Sequence, residues 1–197
     1  DRWMVPDAVE REVKLAFASV EAAREAVALL GATPMRSRRL QDDRLLDSPD
    51  GHLRSARVAL RVRVEGDRDT ATITLKGPPR PDLMKVREEL ETGVGDGILL
   101  LRILDRLGLE VWFRYQKFRE EFALDGVVVA IDETPFATFV ELEGDREGII
   151  RLTAALGRTQ DDYIVDSYRQ LYVKRCQARG LPADAMLFSD TPAVARR

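Results

Sequence analysis

The chain has almost no cysteine or histidine: its 197 residues include one of each, Cys176 and His52. A single cysteine excludes an internal disulfide and suits a reducing cytosol, so a cytoplasmic location is expected. So little sulfur and imidazole argues against a zinc site and against a catalytic triad built on histidine. Neither a signal peptide nor a bilayer-spanning segment is expected, since no apolar run of that length occurs in this sequence. The formal net charge is only −3, too little for a global field that would draw in nucleic acid or an acidic membrane. Anion binding must come from local clustering, and any chemistry falls to carboxylates, cations and a metal.

What is present describes a soluble globular protein, with 45% hydrophobic and 33% charged residues. The length suits one domain with a substantial core, or at most two small ones. Near the N-terminus, Val9–Leu15 alternates as a strand should. Glu10, Glu12 and Lys14 share one face, while Val9, Val13 and Leu15 lie on the other. Two carboxylates suit a hard divalent cation such as Mg²⁺, and the ammonium suits a phosphate.

The rest of the chain repeats the pattern. Ser19 caps an expected helix over 20–30, stopped by Gly31. A strand near 38–46 ends in the turn signal Asp47-Ser48-Pro49-Asp50-Gly51, with His52 as an exposed turn residue. Strands over 57–64 and 70–76 flank a hairpin turn at Glu65–Arg68, and a further strand spans 85–92. Leu99, Leu100, Ile103, Leu104 and Leu107 have helical spacing over 96–107 and are expected to pack, as are Trp3, Trp112 and Phe122. Strands follow at about 111–123, 127–132 and 137–143, the first two joined at Asp125-Gly126. Helices over 145–156 and 168–179 complete the domain, the latter capped by Ser167 and carrying a redox-silent Cys176. From Leu181 the chain is expected to be a loosely attached extension, 181–197, beyond a single domain of 1–180. About eight strands and four helices, with the strands mostly in hairpins, define an α+β fold with an antiparallel sheet.

The recurrence of charge is the informative feature. Paired charges two apart mark Glu10/Glu12/Lys14, Arg61/Arg63, Arg87/Glu89/Glu91, Lys117/Arg119 and Glu141/Glu143, with Lys76 and Asp132 ending two other strands. Lys85 shares the face of Arg87, and Arg36, Arg38 and Arg39 either extend a basic funnel or form an exposed loop. Two architectures accommodate this: a half-exposed sheet with its charges in water, or a closed barrel with helices over its aliphatic outside and charges within. The second is costly unless the interior is tightly paired or holds a ligand. A polyanion with a divalent metal would satisfy both signs of charge.

These residues resemble the CYTH family, the triphosphate tunnel metalloenzymes, which include class IV adenylyl cyclases, thiamine triphosphatases and inorganic triphosphatases. The family's E-x-E-x-K is matched by Glu10-Arg11-Glu12-Val13-Lys14. In order follow Leu60-Arg61-Val62-Arg63, Thr74-Leu75-Lys76-Gly77-Pro78, Arg87-Glu88-Glu89-Leu90-Glu91, Lys117-Phe118-Arg119, Asp132, Glu141-Leu142-Glu143 and Ser167-Tyr168. The resemblance implies an eight-stranded antiparallel closed β-barrel, a triphosphate tunnel, with flanking helices. It further implies Glu10, Glu12, Glu141 and Glu143 as ligands of Mg²⁺ or Mn²⁺. Glu89, Glu91 and Asp132 would be catalytic, as further ligands or water-orienting groups. Lys14, Arg61, Arg63, Lys76, Arg87, Lys117 and Arg119 would grip the phosphates.

The leading expectation is a metal-dependent triphosphatase, with a class IV adenylyl cyclase as the nearest alternative and a non-catalytic polyphosphate-binding module as the third. Tyr115–Glu120 and Glu141–Glu143 look most like the cyclase branch. The expected partner is a small-molecule triphosphate, with no nucleic acid and no membrane, and a homodimer is left open. The chain begins at Asp1 without an initiator methionine, which leaves open whether it belongs to a larger protein.

Overall fold

A computed structural model describes residues 9–65 and 71–189. Trp3 and most of the expected Glu65–Arg68 turn lie outside the described residues. The strands are β1 (Val9–Phe17), β2 (Thr33–Asp47), β3 (Ala59–Glu65), β4 (Ala71–Lys76), β5 (Lys85–Val94), β6 (Glu110–Leu124), β7 (Val127–Glu133), β8 (Thr138–Glu143) and β9 (Ala185–Met186). The α-helices are α1 (Val20–Leu29), α2 (His52–Ser55), α3 (Gly97–Arg106), α4 (Arg146–Ala155) and α5 (Tyr168–Ala178). His52 is exposed as expected, but it opens the short α2 rather than sitting in a plain turn.

The sheet runs β2-β3-β4-β5-β1-β8-β7-β6, and β6 pairs back onto β2, so eight antiparallel strands close in a ring flanked by helices. Closure makes the alternation of each strand an alternation between inside and outside. Val13, Leu15, Val129, Ile131, Val140 and Leu142 point outward and are covered by Ala23 and Val27 of α1 and Ile149 and Leu152 of α4. A second outer cluster sets Leu104 of α3 against Leu46, Val62 and Ala71. Emptying such a site costs about 2–5 kcal/mol per large aliphatic, so these two clusters hold the helices to the ring.

Local chemistry sets the element ends. Ser19, Asp96, Asp145 and Ser167 each accept a backbone N–H as N-cap of α1, α3, α4 and α5. The β6–β7 hairpin turns through Asp125 and Gly126 at φ of 49° and 78°, the left-handed pair that a two-residue turn demands. At Gly97 an added Cβ would lie 2.6 Å from Cβ of Ala71, so only glycine lets α3 settle on β4.

Two expectations about packing are corrected. Leu99 and Ile103 of α3 are each 49% exposed, and of that stripe Leu100 and Leu104 make the core contacts, because α3 turns a narrower face to the ring than its sequence suggests. Residues 181–189 are not a loose extension. The short β9 pairs in parallel with Arg114 and Tyr115 of β6, where β6 has no β7 partner, and Met186 is fully buried among Phe113, Tyr115, Phe139 and Tyr168. Phe188 adds a ring contact with Phe118. Among the described residues no helix is long and apolar enough to cross a membrane.

Candidate active site

The ring encloses a cavity of about 910 Å³ lined by charged side chains from seven of its strands. Register explains how they meet. Across β1–β8, Glu12 lies opposite Glu143 and Lys14 opposite Glu141; across β1–β5, Glu10 faces Arg87 and Glu12 faces Lys85. Lys76 is opposite Glu89 and Thr74 opposite Glu91 across β4–β5. Arg119 is opposite Asp132 across β6–β7, and Asp43 opposite Arg63 across β2–β3. Each inward position therefore meets another inward position, which a one-residue slip would destroy.

The acidic half is threaded by lysines. Glu10 accepts from Lys76 Nζ at 2.7 Å and from Arg87 Nε at 3.3 Å. Burial pushes its carboxyl up, helped by the charges of Glu12 and Glu89. Glu12 accepts from Lys14 at 3.0 Å and Lys85 at 2.7 Å. Its burial opposes ionisation, but Lys14, Lys85 and Lys76 together hold it well below the usual carboxylate range. Lys14 also reaches Glu141 at 3.3 Å. Burial works against its charge too, yet Glu12 and Glu141 carry it above the ordinary lysine value.

Glu143 differs from its neighbours. It makes no hydrogen bond or ion pair among the described residues, and burial together with Glu10, Glu141 and Glu12 lifts its carboxyl to about 7. Among the described residues no three carboxylates are already gathered to hold a metal ion, because lysines occupy the gaps. The donor set nevertheless fits one: Glu10, Glu12 and Glu143 supply hard oxygens on two paired strands, and the unpaired Glu143 marks local negative charge that a divalent cation would neutralise.

The basic half is organised by two buried aspartates. Asp132, fully buried, accepts from Arg119 Nε at 2.7 Å and Nη2 at 2.6 Å, from Lys117 Nζ at 2.9 Å and from the Tyr168 hydroxyl at 2.5 Å. Arg119 also donates to Glu141 at 2.7 Å. Burial would raise Asp132, but Arg119 and Lys117 keep it strongly ionised. Lys117 bears the cost: burial and the neighbouring Arg119 bring it down to about 8. Asp43, also fully buried, takes both oxygens to Arg63 at 2.7 and 3.0 Å and lies 3.8 Å from Arg61. Its carboxyl falls to about 2 because Arg63 and Arg61 outweigh its burial.

The structure brings Glu10, Glu12, Lys14, Arg61, Arg63, Lys76, Arg87, Glu89, Lys117, Arg119, Glu141 and Glu143 to one cavity. Glu91 is at its edge, accepting from Thr74 at 2.7 Å and Arg61 at 3.3 Å. Asp132 lies behind Lys117 and Arg119, with both oxygens taken. Three further participants had no site role assigned from the sequence, where Lys85 stood only as a neighbour of Arg87 and Tyr168 only in the Ser167-Tyr168 match: Asp43, Lys85 and Tyr168. Period-2 spacing from Arg87 marks Lys85, whose position beside Glu12 is described above and whose ammonium burial brings down to about 8. Arg36 and Arg39 belong to β2 and line the cavity. Arg38 is exposed and pairs with Glu133 at 2.8 Å.

Comparison with known proteins agrees with this geometry. The CYTH domain model matches residues 8–167, and the chain belongs to that family, whose members are metal-dependent triphosphatases or cyclases. A Methanocaldococcus jannaschii protein named "Putative adenylate cyclase" is 26% identical over 174 residues, covering 83% of this chain and 98% of its own. The PH1819 protein of Pyrococcus horikoshii has the same fold, with a TM-score of 0.72 at 24% identity, covering 84% of this chain and 99% of its own. A Hippeastrum protein described as a "putative adenylyl cyclase" with a dominant triphosphatase activity superposes with a TM-score of 0.62 at 17% identity, covering 88% and 96%.

Proposed function

We propose that this protein is a metal-dependent triphosphatase that cleaves the terminal phosphoanhydride of a triphosphate: tripolyphosphate, a nucleoside triphosphate or thiamine triphosphate. The observation that carries the reading is the pairing inside the ring, where each phosphate-binding cation already rests on a carboxylate that fixes its direction. Asp43 fixes the fork of Arg63, Thr74 and Glu91 hold Arg61, and Asp132 fixes Lys117 and Arg119. Such preorganised cations stabilise charge on the transferring phosphoryl group without reorganising.

The residues divide the work. Lys14, Lys76, Arg61, Arg63, Arg87, Lys117 and Arg119 grip the phosphate oxygens. A divalent cation such as Mg²⁺ or Mn²⁺, held by Glu10, Glu12 and Glu143 with Glu141 beside them, would supply neutralisation of charge on those oxygens. In hydrolysis a water oxygen attacks the terminal phosphorus in line. The bond to the bridging oxygen breaks, that oxygen leaves with the electron pair, and a carboxylate takes the water's proton. Glu89 suits the last role. It is half-buried beside Glu10, and Lys76 outweighs its burial and keeps it ionised. Asp132, with both oxygens engaged, acts as a positioning residue. Glu91 sits at the edge holding Thr74 and Arg61.

A second reading, class IV adenylyl cyclase, draws on the name of the Methanocaldococcus relative. The Hippeastrum protein supports the hydrolase, since a cyclase name there accompanies dominant triphosphatase activity. A silent binding module is disfavoured because every matched carboxylate is present. The deciding experiment incubates the protein with ATP, thiamine triphosphate or tripolyphosphate, each with Mg²⁺ or Mn²⁺, and resolves the products. Phosphate with the shortened chain is the expected result. Cyclic AMP with pyrophosphate would make it a cyclase, and tight binding without turnover would leave the binding module.

A further inference from the structure

The two rims of the cavity differ in how their cations are paired. On one, Arg39 is 3.2 Å from Glu65 and 2.5 Å from Glu121, and Arg36 pairs with the same two glutamates. At the other end, where Ala59 pairs with Lys76 and Leu46 with Leu60 and Val111, Arg54, Arg57, Arg80 and Arg169 line the cavity, Arg54 and Arg169 lying over Trp112. Of these only Arg54 has an acidic partner, the buried Asp47 at 2.8 Å. Arg57, Arg80 and Arg169 make no side-chain hydrogen bond or ion pair among the described residues, and Nε of Arg169 is buried without a partner. The two aspartates lining this rim are already engaged, Asp82 with Arg146 and Asp166 with Lys174.

Backbone strain adds an independent observation. Arg57 has φ of 59°, a left-handed conformation that suits glycine and costs an L-residue with a Cβ about 1–2 kcal/mol. A long cationic side chain held there, at the edge of a cavity full of phosphate-binding groups, points to a use for that side chain. Trp112 is not open for stacking, since the guanidiniums of Arg54 and Arg169 lie over its ring at 4.4 and 4.5 Å.

We propose that Arg57, Arg80 and Arg169 form a subsite for a fourth phosphate, so that linear polyphosphates longer than three units bind in preference to nucleoside triphosphates. The proposal rests on the triphosphate reading of the inner wall. A chain gripped there by Lys76, Arg61 and Arg63 continues outward past residues 57 and 80, where an anion meets unpaired guanidinium forks. A nucleoside triphosphate brings an uncharged sugar and base to the same place and gains nothing from those charges.

Calorimetry with Mg²⁺ present tests this, using tripolyphosphate, tetrapolyphosphate and ATP on wild type, Arg57→Gly and Arg169→Gln. Glycine accepts the left-handed backbone at 57, so the first variant removes the cation without disturbing the turn, which circular dichroism checks. The expected result is tetrapolyphosphate bound about tenfold more tightly than tripolyphosphate, and ATP no more tightly than tripolyphosphate. Each variant should lose about tenfold for tetrapolyphosphate and less than about twofold for tripolyphosphate. Equal wild-type affinity for the two polyphosphates would overturn the proposal, as would equal losses for both in the variants. A selective loss of ATP would assign the rim to a nucleoside instead. If tripolyphosphate itself fails to bind, the triphosphate reading falls, and this subsite with it.

Discussion

Tyr168, the first residue of α5, donates its hydroxyl to Oδ2 of Asp132 at 2.5 Å and approaches Glu141 at 3.3 Å. Its ring lies 5.1 Å from the Lys14 ammonium and 4.7 Å from that of Lys117. A helix outside the ring thereby completes the polar network within it. Removing the hydroxyl leaves buried Asp132 one donor short, which costs about 1–3 kcal/mol. Tyr168→Phe should lose roughly that much stability in urea unfolding while keeping its aromatic packing against Phe139. An unchanged midpoint would mean that the hydroxyl contributes nothing to docking α5.

Asp43 neutralises Arg63 and Arg61 from behind. Asp43→Asn leaves the buried guanidinium of Arg63 without its carboxylate, and about 3–5 kcal/mol of destabilisation is expected. The wild type carries a matching pH signature. Folding lowers the Asp43 carboxyl from its ordinary 3.8 to about 2, so its stabilisation is complete above pH 4 and lost as pH falls through about 2. That depression corresponds to roughly 2 kcal/mol. Unfolding curves should show a stability gap between wild type and Asp43→Asn that is constant above pH 4 and narrows below it. A gap independent of pH would remove Asp43 as its source.

Lys117 makes binding sensitive to alkali. With the tunnel free of phosphate its ammonium titrates near 8, because burial and Arg119 disfavour the charge. A phosphate beside it favours the charged form, so at pH 8.5 triphosphate binding should take up protons. Calorimetry in two buffers of different ionisation enthalpy measures this directly. Affinity should weaken as pH rises through 8, and a Lys117→Met variant should lose part of the dependence, the remainder belonging to Lys85, which titrates near the same pH. Equal heats in both buffers would exclude the linkage.

Glu10 and Glu12 carry the metal assignment. Glu10→Gln and Glu12→Gln should each lower metal-dependent turnover on the order of 100-fold, and chelation should abolish it in the wild type. Full activity in either variant would release that residue from the metal site. Glu12→Gln also removes the partner of Lys14 and Lys85, so thermal melting must accompany the assay.

What was readable beforehand depended on periodicity. The strands carrying Glu10/Glu12, Arg61/Arg63 and Glu141/Glu143 have mostly aliphatic residues at the alternate positions, Arg11 being the exception in the first, so their charged faces stand out. Asp43 was not singled out because Asp42, Asp43 and Arg44 place charge on both faces of β2, and period 2 then assigns no side. Asp42 in fact pairs outward, with Arg114 at 2.5 Å. Tyr168 reads as a packing aromatic at a helix start; its polar role exists only because α5 lies across the ring next to β7 and β8. The burial of Met186 likewise depends on β7 ending short of Arg114 and Tyr115, which opens a space that β9 fills.

The sequence by itself determined which side chains face together along each strand, since pleating leaves a side chain only two directions. It also determined the helix caps and the glycines that end or seat the helices. Whether the charged faces pointed to water or to an interior was decided only by closure, when β6 paired with β2 and turned one face of the sheet inward. Tertiary structure likewise decided which cation meets which carboxylate, because ion pairing inside a ring is set by register between strands far apart in the chain. Arg119 finds Asp132 and Arg63 finds Asp43 through cross-strand contacts that no spacing along the chain encodes.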